Sequence, residues 1–283
     1  MPDEFEELLD TAMLAAREGS EAVRRHFRAA SLDVRRKGEN DYVTLADRES
    51  EAAIVSAIAR RHPSHRILAE EGGGTGAGGD SEYQWLIDPL DGTTNFLQGL
   101  PVYCVSVACR RGEEPIAGVI SDPEGGNVWS AVRGGGALWN GRPMAVSRRQ
   151  GLHGAFLATG YPFRAHSTLD AYLAIFREVF LQAKAIRRCG AAALDLAYTA
   201  AGVYDGFFEF RLSPWDIGAG ILLVREAGGA VTDLDGGDRF FAGGNIVAGG
   251  KAVHRQLLEV IRRHVSEADI DRMNPMRPLQ AEV

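Results

Sequence analysis

Cysteine and lysine are scarce in this chain of 283 residues: it has three cysteines, and only Lys37, Lys184 and Lys251 among its 31 lysines and arginines are lysines. The cysteines form no CxxC pair, and the seven histidines show no HExxH or HxxEH spacing, which argues against zinc. The sequence also contains no Walker A loop and no GxSxG motif. We therefore expect reduced structural thiols in a cytoplasmic protein.

Long apolar runs and an excess of positive charge are absent as well. The longest stretch without Asp, Glu, Lys or Arg, residues 92–109, contains Thr, Asn and Gln and is a poor membrane span. The first residues show no basic end leading into an apolar core, so no secretory signal and no membrane partner are predicted. The net charge of −7 argues against a general polyanion binder, which needs clustered positive charge.

Glycine, by contrast, is abundant, with 34 residues and no Gly-X-Y repeat, so it is expected in turns and at places of close approach. Hydrophobic residues make up 45% and charged residues 24% of the chain, as in ordinary globular proteins. A length of 283 residues corresponds to about two compact units.

The spacing of apolar residues predicts the order of the secondary structure. Helices are predicted at 5–27 and from Thr44 or Asp47 to His62-Pro63, followed by a largely antiparallel sheet; after about residue 145 helices and strands alternate. The predicted strands are 66–70, 84–88, 102–110, 116–122, 127–132, 185–188, 206–210 and 245–248. The later predicted helices are 169–183, 191–201, 214–227 and 252–264. The pattern indicates an α/β protein with an α+β unit at 1–145, an α/β unit at 146–270 and a loose tail at 271–283.

The most informative segment is WLIDPLDGTTNF at residues 85–96. An apolar strand ends at Asp88, turns at Pro89 and presents a second carboxylate at Asp91, so both carboxylates can converge on one point. The N–H groups of Gly92 and Thr93, at the start of a predicted short helix, face the same point and offer an anion site. Carboxylates beside a phosphate repel it unless cations lie between them, which implies divalent ions that prefer oxygen ligands, Mg²⁺ first. The alternative is a strand and turn in which aspartate only forms the turn and caps the helix.

This segment resembles the signature of the inositol monophosphatase family, the Mg²⁺-dependent, lithium-sensitive phosphatases. Further matches follow in the family's order over about residues 5–265: KGENDYVT at 37–44 with Asp47, ILAEE at 67–71, PWDIGAG at 214–220 and EAGG at 226–229. TGYPF at 159–163 and the segment 192–196 are similar to bacterial members of the SuhB type. The resemblance implies the layered α-β-α-β-α architecture of the sugar phosphatases.

The resemblance also implies a metal site of two to three Mg²⁺ ions. Glu70, Asp88 and the carbonyl of Leu90 would bind the first ion, and Asp88, Asp91 and Asp216 the second, with a third, weaker ion near Glu70. Two shared cations would lower the pKa of the nucleophilic water and neutralise the leaving alkoxide, without a covalent intermediate.

Roles in catalysis and substrate binding are implied by the same matches. Asp47 and Thr93 would polarise the attacking water, with Glu70 as a further catalytic residue, and Glu209 would bond substrate hydroxyls. The residues implied to contact the substrate are Gly92, Thr93, Thr94, Gly190, Ala192, Glu209, Asp91 and Asp216. Where many relatives carry serine after the glycine, this chain has Ala191, which weakens the implication for inositol in particular.

Each of these residues also has a simpler interpretation. Asp47 and Asp216 are well placed to be helix caps only. Glu70 and Glu71 alternate faces on a strand, so one of them, Glu70 by motif position, is expected in the site. Glu209 at a strand end is the least secure, because such a residue is often simply solvated.

The substrate and the partners are less determined. The resemblance favours inositol 1-phosphate, whereas relatives act on fructose 1,6-bisphosphate, histidinol phosphate or phosphoadenosine phosphate; Glu209 favours a neutral polyol, because a carboxylate repels a second phosphate. The resemblance also implies a homodimer. The resemblance also implies a second candidate role, because some bacterial relatives are binding partners of the transcription machinery. In that role the basic segment 24–37 (Arg24, Arg25, Arg28, Arg35, Arg36 and Lys37) would contact RNA or an acidic protein surface; the alternative is a solvated helix end that leads to the active site. Lys37 is either a positive charge near the phosphate or a solvated side chain.

Overall fold

Two β-sheets separated by helices form the framework of the protein, which we describe from a computed structural model. The structure describes residues 2–29, 32–38, 41–72, 81–161 and 168–265. The helices are α1 Pro2–His26, α2 Leu45–Arg61, α3 Thr93–Leu97, α4 Leu169–Phe180, α5 Ala192–Ala200, α6 Pro214–Glu226, α7 Phe240–Gly243 and α8 Lys251–His264. The strands are β1 Arg35–Gly38, β2 Asp41–Val43, β3 Arg66–Ala69, β4 Tyr83–Asp91, β5 Cys104–Arg111, β6 Glu114–Asp122, β7 Asn127–Val132, β8 Gly136–Trp139, β9 Arg142–Pro143, β10 Phe156–Thr159, β11 Ala185–Arg187, β12 Gly206–Glu209, β13 Ala230–Thr232 and β14 Ile246–Gly249.

The first sheet contains strands β3 to β9 in chain order, with β3 parallel to β4 and the other neighbours antiparallel. Side chains of successive residues point to opposite faces, so Trp85 and Ile87 pack under α1 and α2 while Leu86 packs on the other face. Both faces are therefore covered, which explains why β4 is apolar along most of its length and shows no alternation.

The second sheet has the order β11-β10-β12-β14-β13, with β10 parallel to its two neighbours and β14 antiparallel to its own. Phe207 of β12 packs towards α5 and α6, and Phe208 packs towards α4 and α8. Helices α5 and α6 thus lie between the two sheets. Their approach to the first sheet is close: a Cβ built on Gly118 would lie 3.0 Å from Ala219 Cα, so only a small residue fits there.

These layers confirm the predicted fold class, a mixed α/β protein with the order α-β-α-β-α. The first sheet ends at residue 143 and the second begins at residue 156, but the proposed division into units at about residue 145 stays a prediction. Among the described residues, no helix combines the length and the apolar character that a membrane span needs.

Several predicted elements need correction. The strand predicted at 84–88 does not end at Asp88 but continues to Asp91, and the strand predicted at 66–70 ends at Ala69. The short strands β1, β2, β8, β9, β10 and β13 were not predicted. Residues 39–40, the loop 73–80, residues 162–163 of the TGYPF motif and the tail 271–283 lie outside the described residues, as does the side chain of Lys37.

Candidate active site

The site is built around an irregularity in β4. Asp88 pairs with Ser106 of β5 and Asp91 with Cys104, so two residues of β4 lie between these pairs where β5 has one. Such a bulge bends the strand and re-aims its side chains. Helix α2 helps to fix the backbone of the bulge, because buried Ser50 of α2 donates a hydrogen bond to the carbonyl of Pro89 (2.9 Å). Asp88 and Asp91 therefore face one cavity although they lie on the same strand.

Gly92 connects the bulge to α3 in a conformation that favours glycine. Its φ is +92°, in the left-handed region, and a Cβ there would lie 2.9 Å from the carbonyl oxygen of Val102. Another residue would meet both backbone strain and a clash. The chain turns sharply as a result, and Gly92, Thr93 and Thr94 line the same cavity as the two aspartates.

Asp47 takes part in a helix cap and also contacts Thr93. It lies at the start of α2, where it accepts hydrogen bonds from the backbone N–H (2.7 Å) and the hydroxyl (2.5 Å) of Thr44 and so completes a capping box. Its other oxygen lies 3.3 Å from the hydroxyl of Thr93, which also donates towards the carbonyl of Leu90 (3.0 Å). Burial raises the pKa of Asp47 to about 6. Asp47 is thus held by Thr44 and in turn contacts the hydroxyl of Thr93.

Glu70 follows β3 and lines the cavity, whereas its neighbour Glu71 is not among the lining residues. The backbone N–H of Glu70 donates to Ile87 of β4 (3.2 Å), and that of Glu71 donates to the carboxylate of Glu51 on α2 (2.8 Å). Both bonds hold the end of β3 against the elements that carry the other acidic residues.

Asp216 reaches the cavity from α6. It lies in the first turn, accepts a hydrogen bond from the backbone N–H of Ser213 (2.7 Å) and completes a second capping box. Pro214 begins the helix, a position that suits its fixed φ. The helix cap therefore fixes the position at which this carboxylate meets the carboxylates of β4.

The opposite wall of the cavity comes from the second sheet and the start of α5. Gly190, Ala192 and Glu209 all lie there, together with Arg188, which sequence reasoning did not select. Gly190 has φ +86°, and a Cβ there would lie 2.5 Å from Arg188. Burial, followed by the charge of Asp195, raises the pKa of Glu209 well above its usual range. A carboxyl group with a raised pKa stays protonated to higher pH, and the protonated form can donate a hydrogen bond to a substrate hydroxyl as well as accept one. The protonated form also repels a second phosphate group less than an ionised carboxylate does.

Together these walls enclose a cavity of about 930 Å³. Of the residues predicted for the site, the structure brings together at this cavity Glu70, Asp88, Leu90, Asp91, Gly92, Thr93, Thr94, Gly190, Ala192, Glu209 and Asp216. Asp47 is fully buried behind Thr93 and does not line it.

The acidic residues crowd one another. Burial, and then the charges of Glu70, Asp91 and Asp216, raise the pKa of Asp88 well above its usual range. Burial likewise raises the pKa of Asp91 to about 7 and that of Asp216 to about 8, with a contribution from neighbouring carboxylates in each case. Such a cluster is unfavourable when fully ionised, and a bound cation relieves that repulsion.

The donor atoms fit a hard divalent cation. They are carboxylate oxygens and the Leu90 carbonyl, the ligand type that Mg²⁺ prefers. Among the described residues, no three histidine, cysteine, aspartate or glutamate side chains already stand in an arrangement that could hold a metal ion. The carboxylates turn instead to backbone N–H groups, as Asp88 does to Leu90 (3.0 Å) and Asp91 to Ala193 (2.7 Å).

Besides Arg188, Cys104 and Asn95 near the site were also missed by sequence reasoning. Cys104, taken only as a structural thiol, lies with its sulfur 3.7 Å from an oxygen of Asp91. Asn95, in the middle of the signature segment, donates hydrogen bonds to the backbone of Val102 (2.7 Å) and of Cys189 (2.9 Å). The available signal for Asn95 was its position directly after Thr94, but its partner lies 94 residues away and no local pattern reveals it.

Comparison with known proteins gives consistent similarities. The model of the inositol monophosphatase family matches residues 4–268. The Nus factor SuhB of Pseudomonas aeruginosa is 47% identical over 264 residues, which cover 91% of this chain and 97% of that protein. The inositol-1-monophosphatase of Mesorhizobium japonicum is 41% identical over 260 residues, which cover 92% and 97%. The crystal structure of the extragenic suppressor protein suhB from Bartonella henselae aligns with a TM-score of 0.88 and 40% identity, covering 92% of this chain and all of that one.

Proposed function

The chain belongs to the inositol monophosphatase family, and from that we propose that it hydrolyses a polyol phosphate monoester, inositol 1-phosphate in the first place, with Mg²⁺. The family is one of phosphatases that use metal ions. The observation that carries the proposal is the cavity in which Glu70, Asp88, Asp91 and Asp216 meet beside the Gly92–Thr94 turn. Crowded carboxylates next to a turn suited to phosphate are explained by cations between the two.

The proposed metal ligands divide the work as follows. Glu70, Asp88 and the Leu90 carbonyl would hold one ion, and Asp88, Asp91 and Asp216 would hold a second, with a weaker third near Glu70. When bound, Mg²⁺ lowers the pKa of the nucleophilic water and neutralises charge on the leaving oxygen.

The chain's own residues orient the water and the phosphate. The hydroxyl of Thr93 lies 3.3 Å from Asp47, so it can pass its hydrogen bond to Asp47 while its oxygen accepts one from the attacking water. With a pKa of about 6, Asp47 is largely ionised at neutral pH and is a proton acceptor of suitable strength. The N–H groups of Gly92 and Thr93 hold the phosphate.

On the opposite wall, Glu209 and the backbone at Gly190 and Ala192 bond the hydroxyls of the polyol. This side decides the substrate, because the metal side contacts only the phosphate that all these esters share. We expect lithium to inhibit phosphate release at raised Mg²⁺, as is typical of the family.

The test is phosphate release by the purified protein from inositol 1-phosphate, fructose 1,6-bisphosphate, histidinol phosphate and phosphoadenosine phosphate, each with Mg²⁺ and with chelator. We expect the highest kcat/KM for inositol 1-phosphate and no turnover with chelator. A much faster reaction with fructose 1,6-bisphosphate would overturn the choice of substrate, and turnover undiminished by the chelator would overturn the role of Mg²⁺.

A second function is favoured by the relatives named Nus factor SuhB. We propose a transcription-machinery partner that contacts the basic segment 24–37. Arg35 is exposed, with its guanidinium 3.6 Å from Asp33, and Arg24 and Arg25 lie in the last turn of α1. A surface of this kind suits RNA or an acidic protein face.

The test of this second function is a pull-down from cell extract with the wild type and with an Arg35→Glu/Arg36→Glu variant. We expect the variant to lose partners that the wild type retains. An unchanged partner profile would remove the proposal. The family also implies a homodimer, and light scattering of the purified protein measures its oligomeric state.

A further inference from the structure

Asn95 joins the two walls of the cavity. Its side-chain amide donates to the carbonyl of Val102 (2.7 Å), in the loop before β5, and to the carbonyl of Cys189 (2.9 Å), just before α5. The carbonyl of Gly190 lies at 3.5 Å. An amide NH₂ has two hydrogens, so the two short contacts use both. Asn95 itself is not among the residues that line the cavity.

The segment that Asn95 holds is the one proposed to read the polyol. Cys189 precedes Gly190, whose left-handed φ of +86° turns the chain towards Ala192 at the start of α5. A Cβ built on Gly190 would lie 3.2 Å from the Asn95 amide nitrogen, so the asparagine packs directly against this turn. A side chain from the other wall is therefore in direct contact with the turn.

A second hydrogen bond also connects the two walls of the cavity. Asp91 accepts a hydrogen bond from the backbone N–H of Ala193 (2.7 Å), which fixes the first turn of α5 to the bulge of β4. This bond positions the helix start relative to the proposed metal ligands. The Asn95 contacts lie before the helix in the chain, at Cys189 and Gly190, and they position the backbone that leads into α5.

We propose that Asn95 is a positioning residue for recognition of the substrate's hydroxyls: by holding Cys189 and Gly190, it places the backbone that bonds the polyol at the correct distance from the phosphate. The inference rests on the proposed function and deepens it. It predicts a specific defect, because a loose polyol wall weakens binding of an ester with hydroxyls and leaves a simple ester unaffected.

The experiment compares two esters, inositol 1-phosphate and 4-nitrophenyl phosphate, in the wild type and in Asn95→Asp and Asn95→Ser. The aspartate keeps the shape but turns an acceptor towards two carbonyls, and the serine only shortens the side chain. The loss of two hydrogen bonds predicts about a tenfold fall in kcat/KM for inositol 1-phosphate, mainly through KM. For 4-nitrophenyl phosphate the change is expected to stay within about twofold, and inhibition by inorganic phosphate is expected to be unchanged.

Asn140→Asp is the matched control. Asn140 accepts a hydrogen bond from the backbone N–H of Val128 through its side-chain oxygen, which an aspartate can also do, and it lies outside the cavity. Both ester activities should stay at the wild-type level in this variant. Hydrogen exchange of the peptide covering 188–193 gives a readout independent of turnover, and it should speed up in both Asn95 variants.

The outcomes separate the two proposals. If the wild type hydrolyses neither ester, the proposed function is wrong and the role of Asn95 falls with it. If the wild type is active but the Asn95 variants lose both esters equally, or lose neither, only the inference about Asn95 is overturned. Unchanged hydrogen exchange over 188–193 would also overturn it.

Discussion

Three acidic residues of the site also take part in the starts of its helices. Asp47 and Asp216 complete the capping boxes of α2 and α6, whose N-caps are Thr44 and Ser213, and Asp91 accepts the N–H of Ala193 in the first turn of α5. A helix N-terminus stabilises a nearby negative charge, so the same arrangement orients each carboxylate and partly offsets the cost of bringing them together. The cap interpretation of Asp47 and Asp216 is therefore confirmed, while their roles in catalysis and metal binding stay predictions.

Replacing Asp91 by Asn tests the site directly. The side-chain oxygen of Asn can still accept the Ala193 N–H, so we expect the fold to persist while the charge needed for the second ion is lost. Because a metal ion supplies several kcal/mol of charge stabilisation, kcat should fall by about a thousandfold or more. Phosphate release with saturating Mg²⁺ measures this, and circular dichroism checks the fold. Asp122→Asn, in the same sheet but outside the cavity, is the control; near-normal turnover of Asp91→Asn would contradict the ligand assignment.

How far residues could be assigned from sequence depended on whether their partners are local. Asp88, Asp91, Gly92 and Thr93 lie within one segment, so their convergence could be predicted from that segment, although a bulge in β4 produces it and not a turn at Pro89. The partner of Asn95 lies in the second half of the chain, so its contact is a consequence of tertiary packing. The assigned roles in metal and substrate binding stay predictions until they are measured.

Among the elements, long periodic segments were predicted well and short strands were not. The four predicted helices after residue 145 are all present, with ends shifted by a few residues. Strands β8 and β9 have four and two residues, too few for alternation to show. Strand β10 is a buried parallel strand whose apolar run FLAT carries little polar contrast. The bulge in β4 was invisible because Pro89 reads as a turn, while in the structure it lies within a bent strand.

The junction of α1 with α3 gives a stability prediction. Arg28, directly after α1, has φ +58° and donates two hydrogen bonds to the carbonyl of Gly99 (3.2 and 3.0 Å). Arg28→Ala should lower the free energy of unfolding by about 1 kcal/mol, because it loses these bonds and keeps the strained φ. Arg28→Gly loses the same bonds but recovers about 1 kcal/mol of strain, so it should be more stable than the alanine variant.

Urea denaturation of the two variants measures the difference. Arg25→Ala is the control, since Arg25 is exposed near the end of the same helix and pairs with Glu49 at 3.2 Å; it should change stability by about 0.5 kcal/mol or less. If Arg28→Ala proved as stable as Arg28→Gly, the left-handed conformation would not be costing stability.

The connection between α2 and β3 gives a pH prediction. His62 and His65 stack with ring centroids 4.6 Å apart, and His65 accepts a hydrogen bond from the indole of Trp85 (3.2 Å), which requires an unprotonated nitrogen. Burial lowers the pKa of both histidines; Glu7 opposes this for His62, and Glu4 and Glu7 for His65, while Arg61 adds to it for His62. As pH falls below about 6.5, the unfolded chain therefore takes up protons before the folded one, and stability is lost.

A double variant isolates this effect from the carboxylates of the site, whose raised pKa values act in the opposite direction. His62→Gln and His65→Asn keep hydrogen-bonding groups like those of neutral histidine and cannot be protonated. Relative to this variant, the wild type should lose at most about 1.4 kcal/mol per pH unit for each histidine as the solution is acidified below about pH 6.5. Parallel pH dependences in the two proteins, measured by thermal denaturation, would contradict the prediction.

The architecture as a unit places the site where the layers meet. Asp88 and Asp91 come from the first sheet and Glu70 directly follows its strand β3, whereas Asp216 comes from a helix between the sheets and Glu209 from the second sheet. The alternation of helical and strand spacing of apolar residues along the sequence was enough to predict the class of fold. The strand order of the second sheet, and the contact between that sheet and the signature segment, arise only from tertiary packing. A cation bound among these carboxylates would link layers that are far apart in sequence.

Metal binding should therefore stabilise the entire fold. A ligand that binds only the folded state at about 100 times its Kd adds about 2.7 kcal/mol, which corresponds to a rise in Tm of about 5 °C for a chain of this size. We expect this rise with Mg²⁺ or Mn²⁺, its reversal by chelator and a much smaller rise in Asp91→Asn, because that variant lacks the charge of a proposed ligand of the second ion. Differential scanning calorimetry at several metal concentrations measures it, with Asp122→Asn as the control that keeps the full rise. An equal rise in Asp91→Asn would mean that the ions bind elsewhere. No rise in the wild type would mean that no cation binds among the crowded carboxylates, and the proposed metal site would be wrong.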